Sequence, residues 1–178
     1  MPDRAAVFID GAYFDKVTET LSRLRVDYRA MSDKVCAPIP RFRTYYYHCM
    51  PYQHSPPTAD ERQRHSSMDR FVHTLRQLPR FEVRLGRLQL FAGEYRQKGV
   101  DTLMSMDLVE LAATGQISEA VLITGDSDFA PAARRARDRG ILVKLFYTPT
   151  TYVHTELIEA CDERYPLDAA FFQDCLRP

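Results

Sequence analysis

Apolar positions change their period several times along the 178-residue chain, and each change marks an element. AAVFID (5–10) is a short apolar run ending in Asp-Gly, the pattern of a buried strand. Phe14, Val17, Leu21 and Leu24 recur at helical spacing and predict a helix over 12–25. Residues 26–40 show no clear period and close on Pro38 and Pro40. RFRTYYYHC (41–49) reads as a Tyr-rich strand and MPYQHSPPTADE (50–61) as a loop. Met68, Phe71, Val72, Leu75 and Leu78 fall on one face of a helix over 61–78. FEVRLGRLQLF (81–91) alternates as a strand with a break at Gly86, and QKG (97–99) reads as a turn. A strongly apolar helix follows over 101–114, then a strand at 120–124 and a helix over 128–139 stopped by Gly140. ILVKLFY (141–147) is a strand, and 152–161 a last helix. Strands alternating with helices predict an α/β fold with a mostly parallel sheet covered on both faces. Ligands of such sheets bind outside the carboxyl ends of the strands, and Asp10 and Asp126 fall at two such ends.

Length adds that 1–178 is most simply one domain. Lys plus Arg (24) equals Asp plus Glu (24), so net charge argues neither for nor against a nucleic acid partner. MPDRAAVFIDG is too short and too acidic at its end for a secretory signal, and no run approaches the roughly 18 apolar residues of a membrane span. Cys36, Cys49, Cys161 and Cys175 form neither CxxC pairs nor zinc spacing, which fits reduced thiols in a cytoplasmic protein.

The unusual chemistry lies in VLITGDSDFAP (121–131), where a buried strand runs into two carboxylates, Asp126 and Asp128. Three more acids join them as candidates: Asp10, Asp101 and Asp107. Asp10 can instead be a turn residue, and Asp101 and Asp128 helix N-caps. Asp107 and Glu110 are the charged residues between 102 and 114, and no Lys or Arg stands at helical spacing to either. Carboxylates gathered at strand ends suit a hard divalent cation, Mg²⁺ or Mn²⁺, which takes oxygen ligands and keeps several waters. Tyr45, Tyr46, Tyr47 and Tyr52 can stack bases or pack in the sheet, and Arg134, Arg135, Arg137 and Arg139 can meet phosphates or cover a solvated helix.

Three segments, VFIDGAYF, KGVDTLMSMDLVELA and VLITGDSDFAPAARRARDRGILV, resemble the NYN-domain branch of the PIN-like nucleases, and most closely its LabA-like group. The resemblance implies a three-layer α/β/α sandwich and a metal-dependent ribonuclease that leaves a 5′-phosphate and a 3′-hydroxyl. By position it assigns catalysis to Asp10, Asp101, Asp107, Asp126 and Asp128. Asp10, Asp107, Asp126 and Asp128 are the expected metal ligands, with Asp101 completing the site. Lys98 and Arg96 are candidates to hold the scissile phosphate, and Thr124, Ser127 and Tyr13 are further substrate contacts. Thr124 replaces the family's usual Ser, and Tyr13 its common Asn. The expected partner is single-stranded or loop RNA, with no membrane; a homodimer is left open. The rival is a catalytically silent module that binds RNA or a protein, and a third option is a phosphatase on a small substrate.

Overall fold

The computed structural model describes residues 2–91, 94–150 and 153–177, with the backbone alone described for 89–91 and 94–98. Strand β1 (Ala5–Asp10) leads directly into α1 (Gly11–Thr20). The helix expected over 12–25 stops at Thr20 because Ser22 and Arg23 turn to φ 62° and 55°. The segment without a clear period contains α2 (Tyr28–Cys36), capped by Asp27, whose carboxylate accepts from the Arg29 and Ala30 N–H groups. Strand β2 (Arg41–Cys49), α3 (Ala59–Arg76) and β3 (Phe81–Phe91) follow close to expectation.

Gly86 does not break β3; it marks where the strand changes partner. Cys49 opposite Gly86 is the last parallel pair with β2, and Arg87 opposite Lys98 is the first antiparallel pair with β4 (Glu94–Lys98). Residues 97–98 therefore end a strand, and Gly99, at φ 88°, turns the chain into α4 (Val100–Ala113). Strand β5 (Glu119–Ile123), a 3₁₀ turn (Ser127–Phe129), α5 (Ala130–Arg137) and β6 (Leu142–Tyr147) form the next unit. Helix α6 (Thr155–Ala160), β7 (Glu163–Pro166) and α7 (Ala169–Phe172) complete the fold.

The sheet has seven strands in the order β4-β3-β2-β1-β5-β6-β7, parallel except at the β3–β4 pair. Side chains alternate across the buried central strand β1. Ala5, Val7 and Ile9 pack with Phe14, Val17 and Met31 beneath α1 and α2. Ala6 and Phe8 pack with Met104, Leu108 and Ala133 beneath α4 and α5. Two cores on opposite faces make a three-layer α/β/α sandwich, as in PIN-like proteins. Among the described residues no helix is long and apolar enough to cross a membrane.

The order fixes where a site can form. The strands following β1 are added on one side, toward β4, and those from β5 onward on the other. The carboxyl ends of β1 and β5 thus flank a topological switch point, where connecting segments part and leave a crevice.

Candidate active site

Asp10, the last residue of β1, lies at that crevice. Its backbone is extended (φ −71°, ψ 106°), and it caps α1. Oδ1 accepts from the Tyr13 N–H at 3.1 Å and Oδ2 from the Thr124 hydroxyl at 3.2 Å. Burial raises the Asp10 pKa, the Tyr13 and Thr124 hydrogen bonds oppose it, and the Asp126 charge adds to the rise. Gly11 follows because nothing larger fits: a Cβ there would stand 2.5 Å from His48 Cδ2 and 2.6 Å from the Tyr46 hydroxyl.

Thr124 carries the second strand end. It is fully buried, donating to Asp10 while accepting from the Asp126 N–H at 3.2 Å. Its hydroxyl therefore positions two acids, and substrate does not reach it. Asp126 caps the 3₁₀ turn by accepting from the Asp128 N–H at 3.0 Å, and Asp126 and Asp128 both face solvent. Asp101 stands in the first turn of α4 without capping it, since Gly99 holds that position. Its pKa is raised, first by desolvation and then by the charges of Asp126, Asp10 and Asp128. Asp10, Asp101, Asp126 and Asp128 thus feel one another's field.

Asp107 stands apart. The Tyr47 hydroxyl donates to its Oδ2 at 2.7 Å, and Arg84 Nε lies 3.5 Å from the same oxygen. Its compensation comes from β2 and β3, which helical spacing cannot reveal. Tyr47 is opposite Asp10 in the β1–β2 register and opposite Arg84 in the β2–β3 register, so Asp107 is tethered on the β2 side of Asp10.

Tyr13 lies over the turn that carries Asp126. Its Cε2 is 2.6 Å from where a Cβ on Gly125 would stand, and its hydroxyl accepts from the Thr148 N–H at 2.9 Å. The ring thus spans from the end of β5 to the end of β6 and requires glycine at 125. Ser127 borders a cleft of ≈ 540 Å³ together with Asp101, Ser105, Met106 and Asp128. The side chains of Arg96 and Lys98 lie outside the described residues, so their expected phosphate contacts have no geometry here. Tyr45 and Tyr47 are buried in the sheet, whereas Tyr52 is exposed.

Sequence reasoning missed one pair beside the site. His48 Nε2 lies 3.1 Å from Asp15 Oδ2, one strand from Asp10. Burial lowers the His48 pKa, but the Asp15 hydrogen bond and charge, aided by Asp10, leave it raised on balance. Strand register places His48 and helix phase places Asp15, in the middle of α1, and no spacing in the sequence joins positions 15 and 48.

Among the described residues no lysine or arginine pairs with Asp10, Asp101, Asp126 or Asp128. Nor, among the described residues, do three or more His, Cys, Asp or Glu side chains gather closely enough to hold a metal ion. The carboxylate oxygens of Asp10, Asp101, Asp126 and Asp128 are the donor type a hard divalent cation takes, and a cation held by so few of them would keep most of its waters.

Comparison with known proteins extends the picture. The family profile described as NYN domain matches residues 4–168. Over 59 residues the chain is 44% identical to "Uncharacterized protein y4oD" of Sinorhizobium fredii (strain NBRC 101917 / NGR234), a match covering 33% of this chain and 28% of that protein. The crystal structure of VPA0982, a protein of unknown function from Vibrio parahaemolyticus RIMD 2210633, superposes with a TM-score of 0.71 at 21% identity, covering 98% of this chain and 96% of that one. At that identity the likeness is one of fold.

Proposed function

Since the chain belongs to the NYN-domain family, within the PIN-like nuclease superfamily, we propose that it is a metal-dependent ribonuclease acting on single-stranded or loop RNA. The observation carrying this reading is that the Thr124 hydroxyl joins Asp10 to Asp126 at the switch point, with Asp101 and Asp128 in the same field and no lysine or arginine paired with any of the four among the described residues. Binding phosphate alone calls for cations, so carboxylates gathered there imply a bridging ion. Asp10 and Asp126 would hold Mg²⁺ or Mn²⁺, aided by Asp128 and Asp101. When bound, the ion would supply a more acidic water and neutralise charge on the phosphate oxygens.

The chain's own groups have separate tasks. Thr124 and the Tyr13 N–H fix both oxygens of Asp10. Thr124 also fixes the Asp126 backbone, so both acids are held before substrate arrives. Ser105 and Ser127 in the cleft offer hydroxyl donors to a phosphate oxygen. Tyr47 and Arg84 tether Asp107 on the β2 side of Asp10, apart from these four, and any part it takes would be through water or a second ion. Lys98 and Arg96 are proposed to hold the scissile phosphate. Hydrolysis adds water across a P–O bond, and the 3′ oxygen leaves with a proton from solvent.

A second reading, a silent NYN module that binds RNA, draws on Tyr13. The ring occupies space over Gly125 that a smaller amide would leave open. One experiment separates the two. Purified protein is incubated with mixed-sequence RNA plus Mg²⁺, Mn²⁺ or EDTA, alongside Asp126→Asn. Metal-dependent cleavage absent from the variant supports the nuclease. RNA binding without cleavage above the variant's level supports the silent module.

A further inference from the structure

Helix α4 departs from the pattern of a surface helix. Its sequence VDTLMSMDLVELAA carries apolar residues on every side, yet its buried ones are Val100, Met104, Leu108, Leu111 and Ala112. On the outward side Met106 is 63% exposed and Ala113 is exposed, while half-buried Val109 beside them packs against the core. Asp101, Thr102 and Glu110 share that outward side, so Met106 stands there as a large apolar side chain exposed among polar neighbours. Alongside runs a groove of ≈ 570 Å³, with Met106, Val109 and Glu110 of α4 on one wall and Pro131, Ala132 and Arg135 of α5 on the other.

We propose that the α4–α5 groove is the contact between two copies of this chain related by a two-fold axis, Met106 of each seated in the other's groove. Two features select a second copy as the occupant. Knob and groove lie side by side on one surface, and an isologous contact requires each copy to present and receive the same patch. The charges also complement themselves. Glu110 and Arg135 stand on opposite walls, so a two-fold axis running along the groove brings Glu110 of one copy to Arg135 of the other twice over. Both are available: among the described residues no hydrogen bond or ion pair holds the Glu110 carboxylate, and Arg135 reaches Asp138 only at 4.0 Å. An RNA backbone suits the groove poorly, because Arg135 is accompanied there by Glu110 and Asp128. The groove shares Ser105, Met106, Asp128 and Pro131 with the acidic cleft, so the two copies join beside the candidate site.

Sedimentation velocity over graded protein concentration tests the contact. Wild type shows a monomer–dimer equilibrium, and Met106→Glu raises its dissociation constant by about tenfold or more, as for a central interface residue. Because Met106 is exposed, the variant keeps the wild-type melting temperature at concentrations where both are monomeric. Glu110→Arg and Arg135→Glu each weaken the dimer, and the double variant regains wild-type association. A wild type that stays monomeric throughout overturns the proposal. So does a dimer indifferent to Met106→Glu, or a double variant no better than its singles. A monomeric wild type whose affinity for a labelled single-stranded RNA falls with Met106→Glu also overturns it, and makes the groove an RNA surface.

Discussion

Tyr13 shows how one residue can tie three strand ends together. Its N–H reaches Asp10 after β1, its ring covers Gly125 after β5, and its hydroxyl takes the Thr148 N–H after β6. Thr148 is buried, so Tyr13→Phe leaves that N–H unpaired and lowers stability by about 1–3 kcal/mol, measured by urea denaturation. An unchanged midpoint would show that water replaces the phenol. Asp126→Asn has the opposite expected sign. It removes one of four repelling charges and keeps an oxygen to cap the 3₁₀ turn, so the metal-free protein is as stable as wild type or more so. Marked destabilisation of that variant in EDTA would make Asp126 a structural residue. The acids themselves were legible in the sequence, but the partners of Asp107 were not. Tyr47 and Arg84 lie on neighbouring strands, and only register unites them with position 107.

Elements formed where local signals were strong and were missed where tertiary contacts decide. The central strands β1 and β5 are apolar runs with one interpretation. Strands β4 (EYRQK) and β7 (ERYP) are short, polar edge strands without alternation, and exist because β3 and β6 offer them a ladder. Helix α2 did leave a trace, Asp27 as a cap followed by Met31 and Val35 one turn apart, which the surrounding polar residues obscured. Helix α3 starts from a capping box in which Thr58 accepts from the Glu61 N–H and Glu61 accepts from the Thr58 N–H. The Thr58 N–H, then the His54 ring, hold the Glu61 pKa down to about 2. A depressed carboxyl contributes stability that is present above its unfolded pKa of about 4.3 and lost as pH falls through the folded value. The melting temperature of wild type therefore exceeds that of Glu61→Gln at pH 6, and the gap closes between about pH 4.3 and 2. A gap constant over that range would mean that Glu61 is not ionised in the box.

For the molecule as a whole, alternation of strand and helix was enough to place Asp10 and Asp126 at the carboxyl ends of parallel strands, but the strand order that makes β1 and β5 neighbours came from packing. Since carboxylate repulsion opposes folding, Mg²⁺ or Mn²⁺ raises the melting temperature of wild type. Linkage gives about 2.7 kcal/mol at 100 times the dissociation constant, and Asp126→Asn loses most of it. No shift with either ion would count against a preformed site. The seven-strand order has one more consequence, which concerns the sequence in which parts of the protein open. Strands β1 and β5 lie at the middle of the sheet, whereas β4 and β7 form its edges. Local opening begins where few buried contacts hold the backbone, so the amides of β4 and β7 exchange with deuterium early and those of β1 and β5 only on global unfolding. Asp10 and Asp126 are thus anchored to the slowest-exchanging part of the chain. Fraying of the edges leaves the acidic site assembled, and its loss on heating coincides with cooperative unfolding of the whole sheet.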